Sequence, residues 1–195
     1  AAVSGASVVV DSSKHGSLAF ALRHHPGIDL RVLHLVRDGR GVAHSWSKKV
    51  RRPEIVTGET LMPQYSILKS GVLWTVHNLL FDALSMIGTR TLRLRYERVA
   101  ADPARYLAEI RTFAGLPPDP LAFLHRDGDV TVADLGTSHS VAGNPMRFQS
   151  GGVHVRSDDA WRRSMSPARR RIVTLLTWPG RLRYGYLDRF PKKAA

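Results

Sequence analysis

Strands and helices alternate in the first fifty residues, and this order constrains the fold more than any other feature of the sequence. Residues 6–11 form a short, uninterrupted, Val-rich run, as buried strands of parallel sheets do, and a second strand is predicted over residues 29–36. A helix is predicted after each run, over residues 16–27 and 39–50. Strands that alternate with helices build a parallel sheet covered by helices. The sequence therefore predicts an α/β fold with a parallel sheet flanked by helices.

The remainder of the chain continues this pattern. Apolar side chains at helical spacing predict a helix over residues 64–88, and alternation predicts a strand over residues 91–97. A capped helix is predicted over residues 102–115, and another over residues 166–179. Residues 119–157 show little periodicity. Since no linker divides the chain, we expect one domain over its 195 residues.

Composition limits the kinds of partner and chemistry. The formal net charge is +13, from 29 basic and 16 acidic residues, which favours anionic partners such as a nucleotide, an acidic substrate or nucleic acid. The absence of cysteine excludes disulfides, thiolate catalysis and cysteine-ligated zinc. No run is long and apolar enough to span a bilayer, and no signal peptide precedes the first predicted strand. We therefore expect a cytoplasmic protein without a membrane span.

Polar and basic side chains follow each predicted strand. Residues 11–15 follow the first strand, residues 37–40 follow the second, and Tyr96 and Glu97 end the third. In an open parallel sheet, ligands bind beyond the carboxyl ends of the strands. We therefore expect these side chains to share one site.

The junction of the second strand and second helix predicts an anion site. Gly39 and Gly41 would let backbone amides approach an anion closely, and a helix start presents unpaired N–H groups and a positive dipole end. Arg37 adds a planar fork that matches phosphate oxygens, with Arg40 beside it. Ser45, about two turns along the helix, can donate a hydroxyl hydrogen bond. The alternative is that Arg37 pairs with a carboxylate and Ser45 only packs.

Several stretches resemble sulfotransferases that use 3′-phosphoadenosine 5′-phosphosulfate (PAPS). The stretch VRDGRGVAHSW resembles the family's 3′-phosphate-binding segment, in which an Arg and a Ser eight residues later hold the phosphate; Arg37 and Ser45 have that spacing. LRLRYERVAADPARYLAEIRTFAGLP resembles a later block whose Tyr lies near the adenine, a position that Tyr96 matches. HSVAGNPMRF, VRSDDAWRRSM and RLRYGY resemble the C-terminal loop and helix of bacterial members. There an Arg and nearby amides cover the nucleotide, and Arg147 and Asn144 are the matching residues.

The resemblance implies a P-loop-NTPase-like sulfotransferase architecture and transfer of a sulfuryl group from PAPS to a hydroxyl or amine of a small molecule or glycan. VVVDSSKHG resembles the family's second strand end, where a Lys lies close to the transferred group, so Lys14 would stabilise the leaving group. His15, His139 or a carboxylate would be the base for the acceptor. No metal is implied, because the stretch DGDVTVAD lacks the Gly and the terminal Glu of a calcium loop.

One departure from the family concerns the beginning of the chain. The family begins with a strand and a Gly/Ser/Thr-rich loop that holds the 5′-phosphosulfate, and nothing before Val8 resembles that unit. The resemblance starts at the family's second strand, so we expect an N-terminally incomplete domain. One alternative is a non-catalytic or truncated nucleotide-binding fragment. A basic nucleic-acid-binding module is less favoured, because the basic residues are spread along the chain without a known motif.

Overall fold

The computed structural model describes residues 5–12, 15–51, 61–137 and 148–187, and the fold there is mixed α/β. The elements in chain order are α1 (Gly16–Leu22), β1 (Arg31–Val36), α2 (Gly39–Trp46), α3 (Ile67–Met86), β2 (Arg90–Arg95), α4 (Tyr96–Ala101), α5 (Pro103–Ala114), β3 (Leu124–Asp127), β4 (Val130–Leu135), β5 (Gly151–Val155), α6 (Trp161–Ser164), α7 (Pro167–Leu176) and α8 (Trp178–Arg183). Strands β1 and β2 form a small parallel sheet, and β3, β4 and β5 form an antiparallel one.

The two-stranded parallel sheet has helices against it, but the face that carries Leu33 and Leu35 is only partly covered, since these residues are 41% and 47% exposed. Its register runs from Arg31 opposite Arg90 to Val36 opposite Arg95. Helix α3, which precedes β2 in the chain, packs on the face that carries His34, whose Nε2 lies 2.8 Å from Asn78 Oδ1. Successive side chains of a strand point to opposite faces. On the other face, the Arg31 guanidinium donates to the carbonyl of Phe113 in α5 at 2.8 Å.

The strand predicted over residues 6–11 is not formed, and that prediction is wrong. Val9 and Val10 are 71% and 86% exposed in irregular structure. Within the described part of the chain, β1 and β2 pair only with each other. A strand exists only where a neighbour completes its ladder of N–H and C=O groups, and an apolar run does not reveal whether that neighbour is present.

The antiparallel sheet occupies a region where the sequence analysis found little periodicity. Strands β3 and β4 form a hairpin in which Asp127 pairs with Val130 across the two-residue loop Gly128–Asp129. Gly128 has a φ of 59°, as the first central residue of a type II′ turn requires. Strand β5 then pairs with β4 on its other side. The Gly-Asp pair before the alternating run of β4 is the local sequence signal for this hairpin.

The predicted helices are confirmed, with changes at their ends. Helix α5 begins after Asp102, whose carboxylate accepts from the Arg105 N–H at 3.3 Å. Tyr96 begins α4 instead of ending β2. The helix predicted over residues 166–179 divides into α7 and α8 at the buried Thr177.

Two hydrophobic clusters join the end of β1 and helix α2 to the C-terminal segment. The first contains Val36, Trp74, Tyr184 and Tyr186, and the second contains Ala43, Met165 and Val173. The clusters hold α3 and the C-terminal segment against the carboxyl end of the parallel sheet, where the candidate site lies. No helix among the described ranges is long and apolar enough to cross a membrane.

Candidate anion-binding site

The carboxyl ends of β1 and β2 bring Arg37 and Tyr96 together. Each residue directly follows its strand, and the last paired residues of the two strands are Val36 and Arg95. The guanidinium carbon of Arg37 lies 4.8 Å from the centre of the Tyr96 ring. A cation over an aromatic face at this distance is attracted by the ring quadrupole. Two residues that the sequence assigned to nucleotide binding therefore lie in contact.

Arg37 is held by Asp158 on the segment between β5 and α6. Its Nη2 donates to the Asp158 carboxylate at 3.0 Å and to the Asp158 carbonyl at 2.9 Å. Burial alone would raise the pKa of Asp158, but the hydrogen bonds from Arg37 and Ala160 and the positive charges of Arg37 and Lys48 hold this pKa below its usual value. The structure thus contains the carboxylate partner that the sequence left open as an alternative. The Arg37 side chain remains 22% exposed, and its Nε and Nη1 donate no hydrogen bond to any described residue.

At the start of α2, the side chain of Asp38 accepts a hydrogen bond from one of the helix's first N–H groups. Asp38 caps the helix by accepting from the Arg40 N–H at 2.9 Å. The Arg40 guanidinium pairs with the same carboxylate at 2.6 Å, and its carbon lies 4.4 Å from the centre of the Trp161 ring. Arg40 is only 3% exposed, whereas Arg37 is accessible. Because a carboxylate already occupies the positive end of α2, an incoming anion would rely on side chains beside the helix instead of its first amides.

The two glycines of α2 make room for neighbouring side chains. A Cβ on Gly39 would lie 2.9 Å from Thr177 Cγ2. A Cβ on Gly41 would lie 3.2 Å from Arg37 Nε and 3.2 Å from Trp161 Cδ1. Gly41 therefore lets Arg37 lie along the first turn of the helix. This close packing differs from the approach of an anion to the backbone that the sequence predicted.

Ser45 and His44 lie further along α2. Ser45 is exposed, and its hydroxyl makes no hydrogen bond within the described ranges. Burial lowers the pKa of His44, and the positive charges of Lys48 and Arg37 lower it further, while Asp158 opposes them. His44 is therefore mainly neutral at neutral pH. The sequence pattern does not single out His44, Lys48 or Asp158 as residues near Arg37. For His44, the one local signal is its position beside Ser45.

Glu97 fixes the ends of both strands. Its Oε1 accepts from the Asp38 N–H at 3.2 Å. The Tyr186 hydroxyl lies 2.6 Å from Glu97 Oε2 and 2.9 Å from the Val36 carbonyl. Burial and the neighbouring Glu97 raise the pKa of Tyr186, so its hydroxyl stays protonated and donates. This contact ties the C-terminal segment to the strand end from which Arg37 projects.

Of the other predicted site residues, His15 is described, and its ring contact is with helix α3. His15 lies at the N-cap position of α1, and its ring centre is 5.5 Å from that of His77 in α3. Burial lowers the pKa of His77, and the charge of His15 lowers it further. The predicted residues outside the described ranges are Lys14, His139, Asn144 and Arg147.

Arg37 is thus a partly accessible cation at the carboxyl edge of the parallel strands, and Ser45 is an exposed hydroxyl on α2. No group of three or more His, Asp or Glu side chains in the described ranges could hold a metal ion. Comparisons with protein-family models and with curated proteins gave no match.

Proposed function

We propose that this chain is a PAPS-dependent sulfotransferase with the P-loop-NTPase-like architecture of that family. In this proposal, Arg37 and Ser45 bind the 3′-phosphate of the donor, and Tyr96 lies beside its adenine. The acceptor is a hydroxyl or amine of a small molecule or glycan. The observation that carries the proposal is the contact between Arg37 and Tyr96, 4.8 Å apart at the shared carboxyl edge of two parallel strands.

The surroundings of Arg37 support a phosphate ligand. One nitrogen of its guanidinium is occupied by Asp158, while Nε and Nη1 have no acceptor among the described residues. A phosphate dianion carries more charge than a carboxylate and accepts two parallel N–H bonds from an arginine. The phosphate would therefore share or replace the contact with Asp158. The exposed hydroxyl of Ser45 supplies a further donor on α2, the helix that follows Arg37.

The reaction is an in-line displacement at sulfur. The acceptor oxygen or nitrogen forms a bond to sulfur as the bond from sulfur to the bridging phosphate oxygen breaks, which leaves adenosine 3′,5′-bisphosphate (PAP) and the sulfated acceptor. Lys14 would stabilise the charge on the leaving oxygen. His15 or His139 would take the acceptor proton.

The test is calorimetric titration of PAP into the wild-type protein and the Arg37→Ala variant. We expect the variant to bind PAP more weakly by about 1.5–3 kcal/mol, the scale of a hydrogen bond to a charged group. Arg90→Ala is the matched control, because Arg90 is 64% exposed at the opposite end of the same sheet. Equal affinity of wild type and Arg37→Ala would contradict the assignment.

Measurements of turnover and of DNA binding separate the proposal from its alternatives. Formation of PAP from PAPS with a phenol or amine acceptor would support the enzyme, whereas PAP binding without turnover would support a non-catalytic nucleotide-binding fragment. Binding to duplex DNA that is tighter than binding to PAP, with a steep loss in salt, would instead indicate a nucleic-acid-binding module.

A further inference from the structure

Four arginines line a cavity of about 330 Å³ at the edge of β2. Arg93 and Arg95 come from β2, Arg98 from α4 and Arg183 from α8. The rings of Tyr106 and Tyr184 form part of the wall, and the described lining contains no acidic side chain. This volume lies at the lower end of the range for small-ligand sites. The lining does not include Arg37, Tyr96 or Ser45, so the cavity is distinct from the candidate site above.

The four positive charges are only partly compensated. Asp82, buried behind the cavity, pairs with Arg93 at 2.6 Å and with Arg183 at 2.5 Å. Arg98 forms no ion pair with a described residue, and Arg95 donates to the Gly185 carbonyl at 3.0 Å. Like charges gathered in one cavity repel one another, and an anionic ligand removes that repulsion.

Arg95 provides a second, independent indication of a ligand. Its Nε is buried and has no hydrogen-bond partner in the part of the chain that the structure describes. Its guanidinium is held 4.1 Å from the centre of the Tyr186 ring. A buried N–H without an acceptor is costly, so a small turn of this guanidinium towards an oxyanion in the cavity would be favoured. Because Arg95 is already fixed by packing, little side-chain freedom would be lost on binding.

We propose that this cavity binds a ligand that carries two or more phosphate or sulfate groups. Arginines from three elements surround one space, so their donors can reach more than one oxyanion group at once. Arginine pairs with phosphate and sulfate through parallel N–H bonds, and the tyrosine rings give the ligand an apolar wall.

Arg98 is the residue to test, because it is exposed and lines the cavity. Inorganic pyrophosphate is titrated calorimetrically into the wild type, Arg98→Gln, Arg37→Ala and Arg90→Gln at low ionic strength. We expect Arg98→Gln to weaken binding by about tenfold, the loss of one charge-assisted contact. Arg90→Gln removes the same charge outside the cavity and should change the affinity less than twofold.

Two outcomes would overturn the proposal. Equal affinity of Arg98→Gln and Arg90→Gln would mean that pyrophosphate responds to overall charge and not to this cavity. Loss of binding in Arg37→Ala with retention in Arg98→Gln would assign pyrophosphate to the candidate site above.

A parallel titration with a trisulfated disaccharide distinguishes the source of the anion: tighter binding of the disaccharide indicates a sulfated sugar, and tighter binding of pyrophosphate indicates a phosphorylated ligand.

Discussion

At the scale of single residues, surroundings give two neighbouring arginines different roles. Arg37 and Arg40 are three positions apart and of the same chemical type. Arg40 is enclosed between Asp38 and Trp161, whereas Arg37 lies against Tyr96 with part of its guanidinium accessible. The sequence singled out both, but it could not separate them, because burial depends on Trp161, a residue more than a hundred positions away.

Gly39 allows a test of the packing at the start of α2. We expect Gly39→Ala to lower the free energy of unfolding by about 1–3 kcal/mol, the cost of overfilling a packed interior. The new Cβ would lie 2.9 Å from Thr177 Cγ2, and Thr177 cannot easily move because it is fully buried and its hydroxyl donates to the Val173 carbonyl at 2.7 Å.

Urea unfolding monitored by circular dichroism provides the measurement for Gly39→Ala. Gly136→Ala is the matched control, because a Cβ there would meet nothing within 4 Å. If both variants unfold at the same urea concentration, the contact with Thr177 does not constrain the helix start.

At the scale of elements, Asp82 connects a helix to a strand and to the C-terminal segment. Its carboxylate, on α3, accepts from Arg93 on β2, from Arg183 on α8 and from the Tyr184 hydroxyl. Burial and the neighbouring carboxylate raise the pKa of Tyr184, and the contact with Asp82 raises that of Arg183, so both groups stay protonated as donors. One buried carboxylate thus fixes the position of three elements.

Asp82→Asn should therefore destabilise the protein much more than a comparable change at the surface. We expect a loss of about 1.5–3 kcal/mol in the free energy of unfolding, because hydrogen bonds to a charged group are weakened while both arginines remain partly solvated. Asp29→Asn is the control: Asp29 also pairs with two arginines, Arg31 and Arg90, but its side chain is 60% exposed against 5% for Asp82.

Thermal denaturation of both variants beside the wild type measures this difference. Equal melting temperatures for Asp82→Asn and Asp29→Asn would show that the buried network adds nothing beyond a surface pair.

Helices were predicted more successfully than strands for a physical reason. The spacing of apolar side chains and the caps at Asp102 and Ser166 are local, so they can be read from neighbouring residues. Strand formation depends on partners that are distant in sequence, as β4 does on β5. Residues 6–11 have a strand-like composition but form no strand, whereas β3, β4 and β5 form in a region without a clear pattern.

At the scale of the whole molecule, three histidines make stability depend on pH. Burial lowers the pKa of His34, His44 and His77 below the ordinary value of 6.5. His34 is the most buried, and its Nδ1 has no hydrogen-bond partner among the described residues. Below pH 6.5, the unfolded chain binds protons that the folded chain does not. The contribution of these histidines to the free energy of unfolding is therefore fully present above pH 6.5. It is lost as the pH falls towards their lowered pKa values in the folded protein.

We expect the free energy of unfolding to decrease between pH 7.5 and pH 5, with a shallower decrease in His34→Gln because one of the responsible groups is removed. His24→Gln, at an exposed histidine, serves as the control and should keep the wild-type dependence. Urea unfolding at several pH values gives the comparison. A wild-type slope in His34→Gln would exclude His34 as a source of the dependence.

The sequence by itself determined the two parallel strands, the helices between and after them, and the meeting of Arg37 and Tyr96, because parallel strands end at the same edge. It also determined the excess of positive charge. Only the tertiary structure decided that Asp158 holds Arg37, that Asp38 and Arg40 occupy the start of α2, and that four arginines surround a second cavity. These arrangements join residues far apart in the chain, and burial and partner choice arise only when those distant segments pack together.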